Sequence, residues 1–216
     1  MSQATFKVAT PAASASIAGK ILLAIALLIG LGFVVGFVFP YFTLNQQRFG
    51  VYWVKRAWLL LHIVPGTFAL MLGPFVLSMG LARKRMKLHR KLGYGYMTSI
   101  ALSSIGAFYL AFHTDVSWMF GAGLSGLAIA WLITTSLAFA AIKRRLVAQH
   151  KEWMIRSYVV TFGFVNFRIL VGILTAAGVG TLVEQLTVSS WFCWAFPLLI
   201  TEAILQSRKI FGSQAA

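Results

Sequence analysis

Six long apolar stretches constrain this chain more than any other feature. They run approximately over residues 20–41, 57–81, 92–112, 119–142, 153–177 and 186–205. Each reaches or approaches the ~20 residues that a helix needs to cross the hydrocarbon core of a bilayer. None shows the alternation of apolar and polar residues that membrane β-strands have. The sequence therefore predicts an all-α integral membrane protein with six transmembrane helices.

The composition agrees with a membrane protein and argues against a nucleic-acid-binding one. Charged residues make up 11% of the 216-residue chain and hydrophobic residues 59%, whereas about a quarter of a soluble domain is charged. The net charge of +15 comes from 19 basic and 4 acidic residues. Because the basic residues lie between apolar stretches, we interpret them as topology signals and expect no nucleic-acid partner. The single cysteine, Cys193, excludes an internal disulfide and a cysteine-rich metal site.

The distribution of basic residues predicts the orientation. They concentrate in the connections at 83–91 and 143–156, while the opposite side carries only Arg48, Lys55 and Arg56. The positive-inside rule then places both termini in the cytoplasm. We expect the basic connections to contact anionic lipids of the bilayer.

The chain divides into three parts by composition. Residues 1–18 are rich in Ala, Ser and Thr and are predicted to form a disordered cytoplasmic N-terminus. Residues 19–207 form a single six-helix transmembrane domain, and residues 208–216 form a cytoplasmic tail. No phosphate-binding loop occurs, which excludes ATP-driven transport by this chain alone.

The two basic connections resemble each other, and each ends in a histidine followed by a basic residue. One reads RKRMKLHRK from Arg83, and the other reads RRLVAQHKE from Arg144. A parallel repeat about an axis normal to the membrane would bring His89 and His150 face to face. The alternative is that both connections are basic only because the topology requires it.

The four histidines fall into two pairs by depth. His62 and His113 belong to the outer side, and His89 and His150 to the cytoplasmic side. A b-type haem takes one imidazole from each of two facing helices, so all four are candidate cofactor ligands for haem b, with no other metal expected. His89 and His113 are about 36 Å apart along one helix, which disfavours electron transfer between two such haems. The alternatives are lipid headgroup binding, helix capping, or a hydrogen bond between helices.

Ionisable residues within the apolar stretches are costly and are therefore candidates for function. Arg156 and Glu202 lie at matching depth and are predicted to form an ion pair. Arg168 has no acidic residue at its depth, so it meets an anionic ligand, a carbonyl-lined pocket or a partner subunit, or extends to the interface. No nucleophile–base pair or carboxylate pair is present, so no catalytic residue is assigned and enzymatic activity is left open.

Several motifs between His62 and Leu170 resemble a known family. They are His62-x-x-x-Gly66, Gly73-Pro74, His89-Arg90-x-x-Gly93-x-x-Tyr96, Trp131 with Thr134, His150-x-x-Trp153-Met154-x-Arg156-Ser157-Tyr158, and Arg168. Together they resemble the bacterial multi-pass membrane proteins of domain-of-unknown-function family 2306. The resemblance implies a shared four-helix core of the second to fifth spans, flanked by the first and last helices. It favours His62, His89, His150, Arg156 and Arg168 over His113 as site residues.

These observations leave three functions open. The first is a redox-linked membrane protein that binds haem b or interacts with a quinone through its paired histidines. The second is an accessory or assembly subunit of a larger membrane complex, whose partners are other membrane-protein subunits. The third is a small transporter or lipid-binding protein without a cofactor.

Overall fold

The computed structural model describes residues 17–211, and every regular element in this range is helical. Five of these helices are long and apolar enough to cross a membrane, and the bent pair α6–α7 makes a sixth when counted as one span. The prediction of an all-α membrane protein is confirmed. The helices are α1 (Ile17–Phe33), α2 (Gln46–Phe49), α3 (Arg56–Ala82), α4 (Met86–Phe112), α5 (Trp118–Lys143), α6 (Val147–Thr161), α7 (Gly163–Ala176) and α8 (Leu182–Phe211). A π-helical turn (Val34–Val38) and a 3₁₀ turn (Phe39–Thr43) continue the first span beyond α1.

Two tight connections shape the bundle at one end, which we term the basic end. Only three residues join α3 to α4, and only three join α5 to α6. Arg83 and Arg85 in the first connection, and Arg145 in the second, adopt left-handed backbone conformations with φ of 51°, 51° and 61°. These conformations reverse the direction of the chain within three residues, so both connections produce antiparallel helix pairs. The opposite end of the bundle, where α4 meets α5, is termed the far end.

The core lies among α3, α4, α5 and the α6–α7 pair. Its buried side chains include Tyr96 on α4, Trp131 on α5 and Tyr158 on α6. Helix α8 packs against α5, α6 and α7, while α1 packs against α3. The described residues therefore show the expected four-helix core with a helix on each flank.

The fifth span differs from the single straight helix that hydropathy predicts. It is bent by 42° between α6 and α7. Thr161 Oγ1 donates to the Ser157 carbonyl at 2.8 Å, and the Phe162 amide is shared between the carbonyls of Tyr158 and Val159. Threonine bonding to the preceding turn in this way bends helices. The bend turns α7, and with it Arg168, away from the axis of α6.

Two helices begin six residues before the apolar stretches that mark their spans. Helix α4 begins at Met86 rather than at residue 92, and α6 begins at Val147 rather than at 153. Lys and Arg side chains can extend to the interface from a helical backbone. Hydropathy therefore marks the part of a helix in hydrocarbon and misses its basic first turns, which contain His89 and His150.

Two boundaries of the predicted domain division concern the chain ends. The N-terminal segment 1–18 lies outside the described residues except for its last two, which belong to α1. At the other end α8 continues to Phe211, so Arg208 and Lys209 occupy its last turn rather than a tail.

Candidate functional site

Two histidines meet at the basic end of the core. His89 lies in the first turn of α4 and His150 in the first turn of α6. Their ring centroids are 6.4 Å apart, and the ring planes are perpendicular. The structure thus brings the two rings together in a T-shaped arrangement, at the end of the bundle where the parallel repeat predicts that they meet.

Backbone carbonyls fix the tautomer of both rings. His89 Nδ1 lies 3.0 Å from the Val76 carbonyl on α3, and His150 Nδ1 lies 2.8 Å from the Ala138 carbonyl on α5. A carbonyl only accepts, so Nδ1 carries the proton and donates in each case. Nε2 then presents a lone pair, and it has no hydrogen-bond partner among residues 17–211. Histidines that bind metals are held in the same way, with the second nitrogen anchored to a carbonyl or carboxylate.

A cavity of about 610 Å³ opens beside the histidine pair. The Cβ position of Gly93 has no atom within 4 Å, which leaves room against the α4 backbone. The apolar part of the lining includes Tyr94 and Phe139, whose rings contact each other at 6.2 Å. Four basic residues also line it: Arg83, Arg90, Lys143 and Lys151. The space therefore combines an apolar interior, two imidazoles and a strongly positive rim; we term it the basic-end cavity.

A buried hydrogen-bond network lies deeper in the core, between the two ends. Tyr96 Oη is 2.9 Å from Ser157 Oγ and 2.8 Å from Thr161 Oγ1. Ser157 Oγ is 2.8 Å from Thr135 Oγ1, and the Trp131 indole donates to Thr161 Oγ1 at 2.8 Å. This network links α4, α5 and α6 and fixes the register in which the histidines meet.

Sequence reasoning did not identify the network, although a signal for it existed. Tyr96 follows His89 by seven residues, and Ser157 follows His150 by seven residues. Seven residues are about two helical turns, so each pair shares one helix face. The next positions in the same series, Ser103 and Phe164, both contact His62. The spacing from each histidine thus marks the faces of α4 and of the α6–α7 pair that contribute to the core.

The structure does not bring His62 and His113 together as a second pair. His113 is exposed, its ring stacks on Tyr109 at 4.1 Å, and its Nδ1 donates to the Tyr109 carbonyl at 2.8 Å. His62 instead packs against Phe164 at 5.4 Å and donates from Nδ1 to the Ser103 carbonyl at 3.1 Å. Helices α3 and α4 approach closely here, since a Cβ on Gly106 would lie 2.6 Å from the Trp58 carbonyl oxygen.

His62 lines a second cavity, of about 150 Å³, towards the far end of the bundle. Arg168 and Tyr52 also line this space, which we term the far cavity. Burial raises the pKa of Tyr52 above its usual value, and the nearby Arg168 guanidinium partly offsets the rise. Arg168 packs over the ring of Phe37 at 5.5 Å, and within residues 17–211 no carboxylate pairs with it.

The predicted Arg156–Glu202 ion pair forms. Arg156 is 6% exposed and donates from Nε to Glu202 Oε2 at 2.7 Å, with Nη2 at 2.6 Å. Glu152 lies 3.6 Å from Arg156 Nη1 and is bonded by Lys209 at 2.7 Å. The cluster joins α6 to α8 at the basic end, where it serves as a structural tie adjacent to the core.

Comparison with known proteins supports the family assignment made from the motifs. No curated protein and no solved structure matches the chain. A family model described as "Predicted membrane protein (DUF2306)" matches residues 59–205. This range contains the whole lining of the basic-end cavity and most of the lining of the far cavity, whose remaining residues from Phe33 to Tyr52 precede it. It extends past the expected limit near residue 170 and includes most of α8, which the resemblance leaves outside the family-like core. The chain therefore belongs to this family of multi-pass membrane proteins, whose function is unknown.

Proposed function

We propose that this chain is a membrane redox protein that binds one b-type haem between His89 and His150. The main support for this proposal is the distance between the imidazole rings of His89 and His150. Metal–nitrogen bonds of about 2 Å place the Nε2 atoms of two axial imidazoles about 4 Å apart, and hence their ring centroids roughly 6 Å apart. The centroids here are 6.4 Å apart, and each Nε2 is left as a lone-pair donor.

The surroundings of the pair fit such a group. The basic-end cavity provides about 610 Å³ with a mostly apolar lining. Gly93 leaves the backbone of α4 open to a flat ring system. The haem propionates are anionic, and Arg83, Arg90, Lys143 and Lys151 line the cavity to receive them. A haem held there would supply one-electron oxidation and reduction at its iron.

The residues of the chain hold and orient the ligands. The carbonyls of Val76 and Ala138 fix the ring orientation of His89 and His150 and keep each Nε2 unprotonated. Met154 and Phe139 contribute to the apolar part of the cavity lining. The proposal extends to the location: the basic end faces the cytoplasm of a bacterial inner membrane, because the basic connections lie there.

An absorbance spectrum of the purified full-length protein, expressed with ample haem, tests this function. We expect a Soret band, and a sharpened α-band after reduction with dithionite. His150→Ala should lose both bands or shift them to those of a one-histidine haem. The matched control, His113→Ala, removes an exposed imidazole whose contacts among residues 17–211 are to Tyr109 of its own helix, and it should leave the spectrum unchanged.

A protein without a Soret band under these conditions would overturn the haem proposal. It would favour the reading of a transporter or lipid-binding protein in which the basic-end cavity holds an anionic amphiphile. A wild-type spectrum that persists unchanged in His150→Ala would likewise exclude this pair as the ligands.

A further inference from the structure

We infer that the far cavity is a binding site for the ring of a one-ring quinol, with a ring hydroxyl donating to His62 and the opposite ring oxygen accepting from Arg168. This inference uses none of the residues assigned to haem. It therefore stands or fails independently of the proposed function.

His62 requires a ligand that donates a hydrogen bond. Its Nδ1 donates to the Ser103 carbonyl at 3.1 Å, and Ser103 Oγ donates back to the His62 carbonyl at 2.7 Å. The ring lines the cavity, and its Nε2 lone pair has no partner among the described residues. A carboxylate or a quinone carbonyl only accepts hydrogen bonds, whereas a quinol hydroxyl donates one. The site is therefore matched to the reduced form of the ring.

The guanidinium group of Arg168 requires a hydrogen-bond acceptor that lies close to His62. Phe164 contacts the His62 ring at 5.4 Å, and Arg168 follows Phe164 by four residues on α7. Residues four apart on a helix are neighbours, with about 5–6 Å between their Cβ atoms. The guanidinium has donors only, and no carboxylate in residues 17–211 occupies them. A molecule bound against His62 therefore presents its far side to Arg168.

The size and lining of the far cavity fit an aromatic ring. Engineered apolar cavities of about 150 Å³ hold a benzene molecule, and this cavity has about 150 Å³. Aromatic side chains from α1, its π-helical extension, α5 and α7 surround it, and they provide the edge and face contacts that aromatic rings prefer. They are Phe33, Phe37, Phe120, Trp131 and Phe164.

Binding of a decyl-substituted benzoquinol to the purified full-length protein tests the inference. Titration calorimetry under anaerobic conditions should give an affinity for the quinol about tenfold higher than for the matching quinone, because one hydrogen bond is lost. The dimethyl ether of the quinol, which lacks both donors, should bind as weakly as the quinone. His62→Leu should abolish the preference for the quinol.

A second set of variants tests Arg168. Because this residue is exposed, its substitution is compatible with folding. Arg168→Gln should weaken quinol and quinone alike by about tenfold, and Arg168→Lys should retain part of the affinity. Arg48→Gln is the control, since Arg48 lies in the short helix α2 and does not line the cavity. It should change neither affinity.

Three results would overturn the inference: equal affinity for quinol, quinone and ether; full affinity in Arg168→Gln; or decanoate binding more tightly than the quinol. The last would assign the cavity to a carboxylate amphiphile. The wild-type protein separates the two proposals. Quinol binding by the wild type without a haem spectrum would contradict only the proposed function, and a haem spectrum without quinol binding would contradict only this inference. His150→Ala should lose the haem spectrum and keep its affinity for the quinol.

Discussion

At the scale of single residues, carbonyl groups decide what each histidine can do. All four imidazoles donate from Nδ1 to a backbone carbonyl. For His113 the carbonyl belongs to its own helix, whereas for the other three it belongs to a neighbouring helix. An imidazole anchored across a helix pair has a fixed position relative to the core. This is why His62, His89 and His150 can serve as ligands or acceptors and His113 serves as a control.

Gly73 provides a residue-scale prediction about packing. A Cβ at this position would lie 2.1 Å from Cε2 of the Tyr158 ring, and Tyr158 is a buried core residue that donates to the Leu70 carbonyl. Gly73→Ala should therefore lower the free energy of unfolding by about 1–3 kcal/mol, the usual effect of overpacking. Thermal unfolding in detergent measures it.

Gly32→Ala is the matched control, because its Cβ would have no atom within 4 Å. The added methyl group should leave the melting temperature unchanged or raise it slightly, since alanine favours the helix. Equal melting temperatures for the two variants would contradict the close approach of α3 to α6.

At the scale of elements, contacts between helices contribute more to stability and to the geometry of the cavities than single helices do. The Arg156–Glu202 pair joins α6 to α8, and the bend between α6 and α7 lets α7 reach the far cavity. Glu202→Gln should lower the free energy of unfolding by about 1 kcal/mol, because a buried guanidinium loses its nearest anion while Glu152 remains 3.6 Å away.

The control for this prediction is Asp115→Asn. Asp115 pairs with Lys55 at 2.8 Å, but its side chain is 79% exposed. Exposed ion pairs contribute little to stability, so this variant should melt as the wild type does. If Glu202→Gln also melts as the wild type does, the α6–α8 pair contributes nothing measurable.

At the scale of the whole molecule, the two ends of the bundle differ in charge. The basic connections and the histidine pair share one end, and the far cavity lies towards the other. Alkaline phosphatase fused after the last residue should be inactive, because the proposed orientation keeps the C-terminus in the cytoplasm and the enzyme folds only outside it. An active fusion would reverse the orientation, and with it the side of the membrane that each cavity faces.

Much of the fold was predictable from the sequence, because hydropathy is a local property. A stretch of about twenty apolar residues must be helical in a bilayer, since its backbone groups have no other partners there. The candidate spans followed from this rule, and the four-helix core followed from the resemblance that the motifs between His62 and Arg168 carry.

Two contacts, His89 with His150 and Arg156 with Glu202, were predicted from the sequence, and only the tertiary structure decided the others. Lipid-facing and protein-facing sides of these helices are both apolar, so no periodicity in the sequence distinguishes them. The separation of His62 from His113 and the Tyr96–Ser157 hydrogen bond therefore depended on how the helices rotate against one another. The sequence by itself determined which membrane-spanning helices carry these polar groups. Their partners were decided by packing, because a buried polar group is stabilised only where a neighbouring helix supplies its hydrogen bond.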